Sequence, residues 1–202
     1  DLHYLIAAMK ARGIYTTVSF YFPLWLAPKA AWGLPGYENT ANKKAFALLF
    51  FEPRMRQIYR SWARQLLTTE NPYTKLPIAR DPGVAIVEIV NEDSLFFWTF
   101  SAKNIPPRYM RKLETLYGRW LTRRYGSTAK ALAAWGKARH RDDDAGRAGL
   151  FDAWHMTRNG LKNAGAEKRK RIADQVRFLA ELQRGFYEGL ARFFRDDLGH
   201  RG

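Results

Sequence analysis

The sequence predicts an α/β fold with a parallel sheet, and three observations carry that expectation. Two short runs, residues 14–22 and 84–92, are rich in β-branched and aromatic residues, as strands buried on both faces are. A stretch with apolar residues at three- and four-residue spacing lies between them, and further stretches of that kind follow. Strands separated by helical segments imply right-handed βαβ crossovers.

Taken in order, Leu2, Leu5, Ile6 and Met9 fall at helical spacing, and Gly13 follows as a helix-ending residue would. The first strand, residues 14–22, is closed by Pro23. Residues 23–45 form a long connection containing Gly33, Pro35, Gly36 and several aromatics, a length that in compact domains signals function or disorder. A second helix starts near Pro53, which suits a first turn, and places Met55, Ile58, Tyr59, Trp62 and Leu66 on one face. Asn71-Pro72-Tyr73 ends it.

The turn signal Asp81-Pro82-Gly83 introduces the second strand, which runs to Asn91 and Glu92. Pro106-Pro107 opens a helix carrying Met110, Leu113, Tyr117 and Trp120, and Gly126 stops it. A short helix follows from Ser127, its N-cap, to Gly136. Residues 137–171 read as a charged insertion, weakly periodic as far as residue 166. The last helix carries a stripe of Ile172, Val176, Leu179, Phe186, Leu190 and Phe193 and ends at Gly199. No internal repeat is present.

Composition removes several functions. With 47% hydrophobic residues there is material for a sizeable core, but no uncharged apolar run of about 18 residues that could span a membrane. No cysteine is present, so disulfides, thiolate metal sites and a cysteine nucleophile are excluded. His3, His140, His155 and His200 are scattered without ligand spacing, which argues against a zinc or iron site. The formal charge of +15 raises a polyanionic partner, against the blander reading of an arginine-rich solvated surface. The chain opens at Asp1 directly into an apolar-periodic segment, and the expectation is an internal piece of a longer protein.

In a parallel α/β sheet, ligands gather at the carboxyl ends of the strands. That rule selects residues 21–25 and 91–98. The second strand ends in an amide beside a carboxylate, Asn91 and Glu92. An apolar surround raises a carboxyl pKa by desolvation, which suits a proton donor near neutral pH. An Asn-Glu pair alone carries little weight, and its place at the end of an apolar strand supplies it. The competing reading is that Glu92 caps the next helix or pairs with an arginine. Glu88, of the same strand parity, either supports the site from below by hydrogen bonding or, the favoured reading, is a buried structural carboxylate paired with a neighbouring strand. Asp93 is read as a loop or cap residue. Trp25, Trp32 and Tyr37 after the first strand, and Phe96, Phe97 and Trp98 after the second, offer flat apolar faces on which a ligand's apolar face can stack. Trp25 and Trp98 are the candidate contacts, and the alternative is that these rings pack loops against a rim.

Val87-Glu88-Ile89-Val90-Asn91-Glu92 resembles the fourth-strand signature of clan A glycoside hydrolases, the group that includes family 5 cellulases. Residues 12–22 resemble the same group's third strand. Asn71-Pro72-Tyr73-Thr74, Asp81-Pro82, Trp120-Leu121 and Tyr125-Gly126 are similar to a cellulase-like subgroup. The likeness covers most of residues 1–135 and, more loosely, 172–199. It implies a partial (β/α)8 barrel, about helix two to helix four, within a single catalytic domain. It implies hydrolysis of O-glycosidic bonds with Glu92 as general acid/base and Asn91 on the sugar 2-hydroxyl, a carbohydrate substrate and no cofactor. Tyr21 stands about where that family carries a histidine, and is taken as a substrate-binding candidate. The family's nucleophile, a seventh-strand Glu, has no counterpart here.

A second reading, from another class, is a basic helical nucleic-acid-binding domain built on residues 108–124 and 167–195. Its basic residues alternate with Glu167, Asp174, Glu181 and Glu188, which a phosphate-binding face would avoid. A third keeps the barrel as a carbohydrate-binding relative without catalysis.

Overall fold

The computed structural model describes residues 1–37 and 44–201. Residues 38–43 of the long connection lie outside the described residues. Helix α1 (Leu2–Lys10) buries Ile6. Gly13, at φ +73°, lets the chain reverse so that the Ile14 N–H donates back to the Met9 carbonyl at 3.0 Å.

Strands β1 (Thr16–Ser19) and β2 (Val84–Glu88) pair in parallel, with helix α2 (Pro53–Thr68) between them in the chain. Val18 faces Val87 and Ser19 faces Glu88, while Thr16 is set against Val84, so that Ala85 is an extra residue on β2. Helix α2 starts on Pro53, whose fixed φ suits a first turn, and Glu52 caps it by accepting from the Arg54 N–H at 3.2 Å. Met55, Tyr59, Ala63 and Leu67, four residues apart, form its buried face. The Tyr59 hydroxyl donates to the Ile89 carbonyl at 2.9 Å, tying the helix to the exit of β2.

The strands differ from expectation in two ways. They are shorter, β2 bending after Glu88 and before Asn91 and Glu92, and they are not covered on both faces. Thr16, Val18 and Val84 turn into the core, while Thr17, Ser19 and Ile86 are exposed on the other face, Ile86 by 57%.

Helices α3 (Pro107–Tyr125), α4 (Thr128–Ala134) and α5 (Ala166–Arg192) follow, the last continuing into a wider turn at Phe193–Asp197. Ser127 caps α4 by accepting from the Lys130 N–H at 3.1 Å. Tyr117 is stacked between Trp135 and Phe178, with ring centroids 6.0 and 4.9 Å away. The charged segment 137–166 carries one short 3₁₀ turn, Ala153–Met156, and its order comes from a buried ion pair instead. Arg171, fully buried, donates to both Asp143 carboxylate oxygens (2.7 and 2.6 Å) and to the carbonyls of Ala138 and Gly149. Burial alone would raise the Asp143 pKa, but the hydrogen bonds from Arg171 and from the His140 and Gly149 N–H groups hold it below the usual range. Ala148, Leu150 and Ala153 join the same apolar core as the helices, so the segment is not a separate body. Its close approach requires Gly118 in α3, where an added Cβ would lie 2.0 Å from the Gly146 carbonyl oxygen.

Candidate active site at the strand ends

Both strands discharge at the same end, as parallel pairing demands. Beyond the last strand residues one further rung holds the exits together, from the Asn91 N–H to the Tyr21 carbonyl at 2.9 Å. This places Tyr21 and Asn91 side by side by backbone geometry alone.

Glu92 follows with φ +49°, one of three non-glycine residues in the left-handed region among the described residues. It is exposed, half-buried Asn91 preceding it, and makes no hydrogen bond or ion pair among the described residues. The apolar surround expected of Glu92 is therefore absent. The desolvated carboxyl is its neighbour, Asp93, only 5% exposed. Asp93 accepts from the Ala47 N–H at 2.9 Å and from the Thr99 hydroxyl at 2.8 Å. Burial pushes it up to about 6, against the lowering pull of those donors and of the Ser94 N–H.

Ala47 is itself left-handed, at φ +62°, and lies in the apolar run 45–51, all of it buried. Asp93 thus clamps that run to the exit of β2. The loop after it is held in turn by Gln183 of α5, whose side-chain oxygen accepts from the Ser94 hydroxyl (3.1 Å) and the Leu95 N–H (2.9 Å). Asn104 donates to the carbonyls of Trp98 (3.3 Å) and Thr99 (3.1 Å).

The aromatic candidates divide. Tyr21 is 1% exposed, packed against Tyr59 with ring centroids 5.5 Å apart, and its buried hydroxyl has no hydrogen-bond partner among the described residues. Burial, then the nearby Asp93 charge, raises its pKa well above the usual phenol value. Its side chain belongs to the core. Trp25 is 82% exposed, its ring edge against Phe22, and Trp98 is 51% exposed, braced by Phe46 and Phe97. Phe96 and Phe97 are also exposed, Trp32 is half-buried, and Tyr37 is buried, its hydroxyl donating to the Lys44 carbonyl. Glu88 is half-buried.

The Asp93 clamp, with Ala47, Thr99 and Gln183, escaped the reading of the sequence. A signal was present in residues 45–51, whose unbroken apolar run fits neither a helical nor a strand period and so marks a loop buried by long-range contacts.

Chemically, the strand ends offer one solvent-facing carboxyl with an amide beside it, two loops carrying open aromatic faces, and a rigid base. Among the described residues no group of three or more His, Asp or Glu could hold a metal ion, and no helix is long and apolar enough to cross a membrane. No family model, no curated protein and no solved structure matches the chain.

Proposed function

We propose that this chain supplies the acid/base half of a retaining O-glycoside hydrolase site on part of a (β/α)8 barrel. The observation that carries the reading is the Asn91–Glu92 pair, at the carboxyl ends of two parallel strands, with open aromatic faces on both exit loops. In this reading Glu92 gives a proton to the glycosidic oxygen as the bond to the anomeric carbon breaks. It then takes one from the water that releases the sugar. A second carboxylate, about 5–5.5 Å from the first, attacks the anomeric carbon in the first step. By the resemblance it comes from a later strand of the barrel.

Asn91 holds the hydroxyl next to the reacting carbon, and Trp25 and Trp98 stack on sugar faces. Tyr21, with its side chain in the core, acts from beneath: its carbonyl fixes the Asn91 backbone.

The test uses the protein carrying the complete barrel. Glu92→Gln should abolish hydrolysis of substrates with poor leaving groups. Aryl glycosides with good leaving groups, which need little acid help, should keep far more activity. Equal retention on both substrates removes Glu92 from the role. Trp98→Ala should raise KM for oligosaccharides several-fold, since a stacking contact contributes on the order of 1 kcal/mol.

A further inference from the structure

Helix α2 contains four arginines and no acidic residue. Three of them, Arg56, Arg60 and Arg64, stand four residues apart and so lie in one row, about 12 Å from first to last at 1.5 Å per residue. They line an open groove of about 790 Å³ together with Gln57, Ser61 and Gln65. Its other wall is the turn after α5, where Phe193 is buried beneath the guanidiniums of Arg60 and Arg64, 5.2 and 5.4 Å from its ring centre.

The row is poorly neutralised. Among the described residues Asp197, at 3.4 Å from Arg64, is the one acid lining the groove, and both partners are about half exposed. Glu52, at the start of α2, is occupied by Lys112 at 2.7 Å. Arg56 spends its donors on the carbonyls of Leu49 and Phe50, and burial, then the like charge of Arg60, lowers its pKa against the opposing charge of Glu52. Like charges one helical turn apart repel. The cation–π contacts orient the guanidiniums over Phe193 without cancelling their charge.

We propose that this groove binds a linear acidic glycan, a chain whose sugars bear carboxylate or sulfate groups. The cations recur at about 6 Å, four residues at 1.5 Å each, which suits anions repeated along an extended chain. The side chains beside them, Gln57, Ser61 and Gln65, are exposed hydrogen-bonding groups suited to hydroxyls. Single-stranded nucleic acids are held by a basic groove together with aromatic platforms for the bases. The aromatic ring in this groove, Phe193, is buried. The groove is built from α2 and the end of α5, so this proposal stands independently of the role given to Glu92.

The experiment is calorimetric titration of the protein at physiological salt with an octamer of galacturonate, a neutral cello-oligosaccharide and an eight-base oligothymidylate. The acidic octamer should bind and the neutral sugar should not. Arg60→Ala/Arg64→Ala should weaken the acidic octamer at least ten-fold. Arg119→Ala/Arg123→Ala, which removes the same charge from exposed positions on α3, should change it less than two-fold. Ser61→Glu leaves the Phe193 packing intact and should weaken binding as much as the double variant, so a folding defect cannot pass for a binding one. Equal losses from the α2 and α3 variants would mean attraction to overall charge and overturn the proposal. So would absence of binding, or an oligothymidylate bound as tightly and lost on the same substitutions.

Discussion

At residues 92 and 93 two neighbouring carboxyls take opposite environments, the first in solvent and the second clamped under the run 45–51. The left-handed turn at Glu92, unfavourable by about 1–2 kcal/mol for a residue with a Cβ, accompanies the inversion. The Asn-Glu pair was legible because an apolar strand leads into it. Which carboxyl is buried was not, because no residue type at 92 announces a positive φ. The burial of the Tyr21 side chain was hidden for a similar reason: its partners Tyr59 and Asp93 are far away in sequence. These environments set a pH dependence. Asp93 is raised to about 6, and Glu114 to about 7 by burial first and then the Asp142 charge, with Arg147 opposing. In the unfolded chain such groups titrate near pH 4, at about 3.9 and 4.3. Between about pH 4 and 7 the folded protein therefore holds extra protons, and their contribution to stability is lost as pH rises through that window. Asp81 and Asp143, held low, act in the opposite sense, below about pH 4. Relative to Glu114→Gln, the native protein should lose on the order of 3 kcal/mol between pH 4.5 and 7.5. Urea midpoints across that range measure it, and a parallel pair of curves would contradict the burial assigned to Glu114.

Among elements, helix ends were the easiest to foresee, because caps are local chemistry. Pro53, Pro107, Gly13, Gly126 and Ser127 stand at or beside the boundaries they suggested. The segment 137–166 was opaque because its order depends on a cation 28 residues from its partner in sequence: Arg171 on α5 reaching Asp143. A periodicity argument cannot register such a tie. Arg171→Leu should leave the Asp143 carboxylate buried without its cation, at a cost of about 3–5 kcal/mol. Thermal melts should show the loss, and limited trypsin digestion should cut within 137–166 before elsewhere. An unchanged melting temperature would show that this pair does not anchor the segment.

Over the whole molecule, the βαβ order was readable from alternating patterns, and the parallel pairing follows it. The burial of the strands on both faces was not met. Residues at β-branched positions cannot tell from their type alone whether a second layer lies above them. A pair of strands with one open face is marginal by itself, and parallel sheets are ordinarily covered on both sides. The open face carries Ile86 beside Thr17 and Ser19. The chain of 202 residues should therefore self-associate as its concentration rises. Ile86→Lys should shift sedimentation velocity profiles towards the monomer while leaving the melting temperature within a few degrees. Identical profiles would place the sticky surface elsewhere.

The Asn91–Tyr21 rung has a use as a reporter. It is a lone tether past the last regular ladder, so its amide proton can trade with deuterium only when the two exit segments swing apart. Exchange at Asn91 would then time the parting of the two exit segments without any catalytic assay. An oligosaccharide spanning both segments should slow that exchange several-fold, and one resting on a single segment should leave it untouched.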